Sequence, residues 1–319
     1  MYQVLRLSHS QHVAIRTLNY HLRCWGTPQP GVAPLWLLHG WMDVSASWQF
    51  VVDALAADRY VVAPDWRGFG LTRPQHQTQP AHPSDFGGTD HYLFADYLAD
   101  LDLLLDHVNT QLGRAVEAPI DLVGHSMGGN VAMVYGGVRP QRVRRLVNLE
   151  GFGLPASRPA QAARRYARWI DEIKALHRGD MALQSYPEAA GVAARLMKTN
   201  PRLPAAHAAW LAEHWAAADA QGRWHVQGDA AHKVISAHLY RLDEMLEIHK
   251  HISAPVLAVE ASDDSLAQWY RHGEHSLQAH HERLALVPDC RIAVVADAGH
   301  MLHHDQPQAV ARLIESHLA

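Results

Sequence analysis

Cysteine is almost absent: Cys24 and Cys290 are the only two in 319 residues, far apart and each within an apolar, strand-like stretch. A disulfide framework or a zinc knuckle needs more thiols at closer spacing, so both are excluded and the two cysteines are read as small core residues. Basic runs are missing as well. Net charge is −4 with neutral histidines, and without a Lys/Arg cluster the chain lacks the electrostatic footprint for nucleic acid or anionic lipid. No stretch is apolar and long enough to cross a bilayer. Residues 1–10 alternate polar and apolar, with Arg6 and His9, in place of the uninterrupted apolar segment of a secretory signal. The expectation is a cytoplasmic protein acting on a small molecule, with no membrane span and no nucleic-acid partner; nothing argues against a homodimer.

What is present is a globular composition of ample length. Hydrophobic residues make up 48% and charged residues 19%, enough for a large core and far from a disordered chain. The length exceeds the usual single domain, yet an α/β core with one insertion accommodates it. Histidine is the excess: 25 of them titrate near neutrality, so net charge and solubility should change between mildly acidic and mildly basic pH.

Short apolar runs bounded by turn residues predict buried strands at 35–38, 60–63, 120–123, 143–149, 256–259 and 292–295. Helical periodicity fills the gaps: 45–57 opens on a capping residue, and Leu98, Leu101, Leu105 and Val108 share one face of 92–108. Strands alternating with helices imply an α/β fold, a mainly parallel sheet covered on both faces and built by right-handed crossovers. Residues 4–7 and 13–25 are read as an antiparallel pair at its edge. The alternation breaks in 151–233, where helical segments at 161–177, 189–198 and 205–220 are punctuated by Pro187, Pro201 and Pro204. This insertion is read as a helical cap, which leaves 1–150 and 234–319 as the core. A further helix at 240–250 leads back to the sheet, and the polar stretch 73–90 is read as a long surface loop.

The strongest signal is Gly124-His125-Ser126-Met127-Gly128, directly after one strand run and directly before a helical pattern. A serine on a tight strand-to-helix turn needs small neighbours, and the turn exposes its hydroxyl while aiming backbone amides and a helix N-terminus at one point. A serine needs a base remote in sequence and close in space; His300, in Asp297-Ala298-Gly299-His300 after the last strand run, fits best. His303 and His304 are its neighbours and are placed at the start of the last helix; no zinc ligand spacing is completed there, so no metal is expected. Two carboxylates at strand ends are candidates to orient the imidazole, Asp264 as the preferred one and Glu150 as the alternative, and chain order does not separate them. For the oxyanion, the amide of Met127 is one donor and that of Trp41, in the turn His39-Gly40-Trp41, the second. Trp41, His125, Glu150 and Phe152 are the candidate substrate-facing residues. Asp65-Trp66-Arg67-Gly68-Phe69-Gly70 is read as a structural turn.

Together His39-Gly40-Trp41, Asp65 to Gly70, Gly124 to Gly129 and Ala298-Gly299-His300 resemble the α/β-hydrolase superfamily over nearly the whole chain. Aligning 255–264 with that family's Pro, apolar strand, Gly, acid segment places the acid at Asp264 rather than Asp263, although Ala261 stands where glycine is common. Leu149-Glu150-Gly151-Phe152 looks like the corresponding piece of serine hydrolase-like proteins, and a glutamate there is similar to the acid of some haloalkane dehalogenases. Those enzymes, like epoxide hydrolases, use an aspartate nucleophile. With Ser126 in that place the resemblance implies cofactor-free acyl chemistry on an apolar, ester-like substrate, as in carboxylesterases, lactonases and thioesterases. Carbon–carbon bond hydrolases, perhydrolases and non-turnover ligand-binding proteins of the same fold are the alternatives.

Overall fold

The computed structural model describes residues 2–77, 82–270 and 275–319. Its strands are β1 (Ser8–Ile15), β2 (Leu18–Trp25), β3 (Leu35–Leu38), β4 (Val61–Pro64), β5 (Arg73–Pro74), β6 (Ile120–His125), β7 (Val143–Leu149), β8 (Ser185–Tyr186), β9 (Ala216–Ala218), β10 (Trp224–Val226), β11 (Val256–Ala261) and β12 (Cys290–Val295). Its helices are α1 (Gln49–Ala54), α2 (Phe94–Gln111), α3 (Met127–Val138), α4 (Ala162–His177), α5 (Ala189–Thr199), α6 (Ala205–Trp215), α7 (Leu242–Lys250), α8 (Ser265–Trp269), α9 (Leu277–Leu284), α10 (Leu302–Asp305) and α11 (Pro307–Leu318).

Among the described residues one sheet runs β1-β2-β4-β3-β6-β7-β11-β12, with β5 also paired to β2. From β4 through β12 every neighbouring pair is parallel, while β2 pairs antiparallel with β1, β4 and β5. The central strands β3, β4, β6 and β11 are buried at every position, as expected where helices cover both faces. Strand alternation divides their side chains between two cores. Trp36, Leu38, Leu122 and Leu146 pack with Leu101, Leu105 and Val131 from α2 and α3 on one face. Leu35, Leu37, Val123 and Val147 pack with Val51, Val310 and Ile314 from α1 and α11 on the other.

Between β7 and β11 the chain leaves the sheet to form helices α4, α5 and α6. The expected cap is therefore there, but it is not purely helical: β8, β10 and β9 form a small antiparallel sheet within it. Two- and three-residue strands carry too little periodicity to be read from sequence. Tyr186, Val192, Leu203, Leu211 and Val226 of this region share one apolar cluster with Val44 and Phe50 of the core, so the insertion sits over the loop after β3 and the start of α1.

Several expectations need correction. The N-terminal hairpin is formed by β1 and β2, with Val4 to Leu7 outside it. β12 is an outer strand, with Ile292 and Val294 exposed and Cys290 only half-buried, whereas Cys24 is buried. The stretch 73–90 is not all surface loop. Arg73 is buried in β5, and its guanidinium lies 3.9 Å over the ring of Phe86, a cation–π contact that lets a charged residue enter a polar-looking segment; residues 78–81 of that stretch lie outside the described residues.

Candidate active site

In this sheet the chain runs from β3 outward to β4 and later returns to β3's other side as β6. That reversal opens a crevice at the C-terminal ends of β3 and β6. Gly40 and Trp41 follow β3 and Ser126 follows β6, so topology alone brings them together.

Ser126 joins β6 to α3 with φ 53° and ψ −116°, a strained conformation for a residue with a side chain. It is held from both sides: its N–H donates to the carbonyl of Leu149 at 2.8 Å, and its own carbonyl accepts from Asn130 N at 2.9 Å. The turn is possible because two glycines let backbones nearly touch. A Cβ at Gly124 would stand 2.2 Å from the Gly128 carbonyl oxygen, and one at Gly128 would stand 2.2 Å from that of Leu38. Met127 begins α3, where amides lack intrahelical partners. At Gly40 a Cβ would be 3.1 Å from both Ser126 Cβ and His125 Nδ1, so the β3 loop passes directly against the serine.

His300 sits in the loop before α10 and its Nε2 is 3.0 Å from Ser126 Oγ. On the far side of the ring Nδ1 is 3.3 Å from Glu150 Oε2. Glu150 is buried, with φ 55°, and its carboxylate is fixed by two further donors: Ala261 N to Oε1 at 2.8 Å and Ser265 Oγ to Oε2 at 2.7 Å. Trp269 closes against the imidazole edge-on, ring centroids 4.5 Å apart.

Asp264, the preferred acid of the sequence reading, is engaged elsewhere. It is the N-cap of α8, and its carboxylate accepts from Ala267 N at 2.8 Å; among the described residues no hydrogen bond joins it to His300. β7 lies between β6 and β11, so a carboxylate at the end of β7 is one strand from the serine and one at the end of β11 is two.

His125 is buried behind the serine, and burial drives its imidazole far below the ordinary range. Its Nε2 lies 2.7 Å from the carbonyl oxygen of His300. A carbonyl only accepts, so the neutral ring carries its proton on Nε2 and ties β6 to the His300 loop. The turn after β4 is structural, as expected: Asp65 accepts from Ser45 N, Leu71 N and His21 Nδ1. Its carboxyl is buried, which alone would raise it, yet the His21 contact holds it well below the usual range.

A cavity of about 540 Å³ opens over Ser126 and His300, roofed by Tyr186, Leu196, Leu203 and Trp215 of the insertion. Of the four expected substrate-facing residues, Trp41 and His125 line it. Glu150 is behind His300. Phe152 is buried against His280, ring centroids 5.0 Å apart. Trp41 is half-exposed rather than core, and its indole N–H reaches the His232 carbonyl at 3.2 Å. Among the insertion's tryptophans only Trp215 lines the cavity, tethered by its N–H to the Met42 carbonyl at 2.9 Å. Arg195 and Lys233, also at the wall, were not singled out from the sequence because nothing in their local pattern distinguishes them from surface cations.

Residues 37–313 match the alpha/beta hydrolase family. The chain belongs to that family. Within it, the 2-hydroxymuconate semialdehyde hydrolase of Pseudomonas sp. (strain CF600) is 33% identical over 124 residues, 38% of this chain and 37% of that protein. The 2-hydroxy-6-oxo-2,4-heptadienoate hydrolase of Pseudomonas putida is likewise 33% identical over 124 residues, 38% of each chain. The matched stretch thus spans little more than a third of these two relatives. The thioesterase domain from the curacin biosynthetic pathway superposes over 97% of this chain and 99% of its own, with a TM-score of 0.77 at 22% identity, a likeness of fold.

Proposed function

We propose that this alpha/beta hydrolase cleaves an ester-type small molecule through Ser126, His300 and Glu150. The observation that carries the reading is the continuous relay from Ser126 Oγ to His300 Nε2 at 3.0 Å and from His300 Nδ1 to Glu150 Oε2 at 3.3 Å. Ser126 Oγ attacks the substrate carbonyl as His300 takes its proton, and buried Glu150 holds the tautomer and offsets the imidazolium charge. The tetrahedral oxyanion forms beside the amides of Met127 and Trp41. Collapse breaks the acyl–oxygen bond, and the leaving alkoxide takes the proton from His300. Water then attacks the acyl-serine, giving up its proton to the same imidazole; collapse breaks the acyl–Oγ bond, Ser126 Oγ takes that proton back from His300, and the carboxylic acid is released. The mostly apolar cavity suits an aliphatic or aromatic acyl chain.

A second reading shares this machinery. The named substrate of the Pseudomonas putida relative holds a ketone and no ester, so carbon–carbon cleavage after attack at a ketone is the alternative outcome. Turnover of a panel of short p-nitrophenyl esters and of a vinylogous ketone by wild type and Ser126→Ala separates these. Ester turnover lost in the variant supports the leading reading, ketone cleavage alone supports the second, and unchanged turnover in the variant rejects both.

A further inference from the structure

The structure assigns a divalent transition-metal site, of the zinc type, to Asp43, His303 and His304, beside the Ser126 cavity. Each of the three side chains offers a ligand atom, and these atoms lie within 4.8 Å of one another; all three residues are buried. Asp43 follows the β3 loop and the two histidines belong to α10, so two remote segments supply the set.

Burial makes the cluster unusual. Asp43 Oδ1 is used internally, accepting from Val44 N at 2.9 Å and from the Ser47 hydroxyl. Asp43 Oδ2 and His304 Nε2 have no hydrogen-bond partner, and His303 Nε2 lies 3.9 Å from Asp43 Oδ2. Asp43, His303 and His304 are 5%, 1% and 3% exposed, so water does not satisfy these atoms from bulk. A buried acceptor left without a partner is destabilising, more so when charged, and a bound cation removes that penalty.

The chemistry of the set selects the ion. Two imidazoles and one carboxylate suit zinc and its neighbours, not magnesium or calcium, which prefer oxygen donors. Zinc bonds of about 2.0–2.1 Å place tetrahedral donors roughly 3.4 Å apart, so the three side chains close by roughly an ångström around the ion. Asp43 and His304 also line the cavity, so the site adjoins the space over Ser126. A comparison cluster, His82, Asp219 and His225, has the same ligand types but is already satisfied: Asp219 accepts from Gln221 N, Arg223 N and His225 Nε2.

The test uses the full untagged chain, stripped with chelator, and zinc chloride as the probe. Crystals soaked in zinc should show an anomalous peak between Asp43, His303 and His304. Competition against a chromophoric chelator should give one tight ion per chain, weakened at least tenfold in Asp43→Asn and in His304→Gln and unchanged in His225→Gln. A peak confined to surface histidines, or affinity unaltered by His304→Gln with its fold intact by circular dichroism, overturns the assignment. The wild-type anomalous map decides the question if either variant fails to fold.

Discussion

Nδ1 of His300 lies 3.3 Å from Oε2 of Glu150, a carboxylate at the end of the strand adjacent to the one that delivers Ser126. The same carboxylate is hydrogen-bonded to Ala261 N and Ser265 Oγ, so its position does not depend on the imidazole. A pre-fixed acid orients a histidine without reorganisation during turnover.

Glu150→Gln should therefore lower kcat on a p-nitrophenyl ester by two to four orders of magnitude, in the manner of triad-acid amidation, which costs about 10⁴. Asp264→Asn should stay within a few-fold of wild type, because asparagine also caps helices well. Steady-state kinetics on both variants decides, and the opposite ranking returns the acid to Asp264.

Acid sensitivity should trace partly to His280. Burial, reinforced by His275, His281, Arg283 and His249, lowers its imidazole to about 3 in the folded chain, against about 6.5 when unfolded. Between those values only the unfolded chain binds the proton, so stability is fully present above about pH 6.5 and is lost as pH falls toward 3, by up to about 1.4 kcal/mol per pH unit. Urea denaturation of His280→Gln from pH 6 to pH 4 should show a slope shallower by up to one proton. An unchanged slope would show that His280 is not held neutral.

Glycines of similar appearance should respond very differently to alanine. Gly128→Ala forces a Cβ to 2.2 Å from the Leu38 carbonyl oxygen, a backbone collision that should cost more than about 2 kcal/mol and distort the Ser126 turn. Gly113 has φ +66° with nothing within 4 Å of its Cβ position, so Gly113→Ala should cost only about 1 kcal/mol of backbone strain. Chemical denaturation of the two variants measures the difference; equal losses would contradict the packing described for the elbow.

The sheet was legible in the sequence because its central strands are short apolar runs buried on both faces, and the Ser126 turn because strand, glycines and helix leave it little freedom. The place of His300 after the last strand led to the expectation that it meets Ser126, and its Nε2 lies 3.0 Å from Ser126 Oγ. The partner of the imidazole was harder: Glu150 and Asp264 both end strands and both precede His300, and only the fold, which sets Glu150 against His300 Nδ1 and Asp264 at the N-cap of α8, separates them. Periodicity does not encode strand order. Phe152 was misplaced as a substrate contact for a similar reason, since one residue beyond a strand end can face either the cavity or the interior, and here it packs on His280. The Asp43, His303 and His304 cluster joins segments some 260 residues apart, and no local spacing announces such a meeting.

The most direct test is labelling of the whole protein with a fluorophosphonate, followed by intact-mass and peptide mapping. A single adduct on Ser126 is expected, absent in Ser126→Ala and slowed at least a hundredfold in His300→Ala. Labelling at another residue, or at Ser126 with a rate indifferent to removal of the imidazole, would contradict the account.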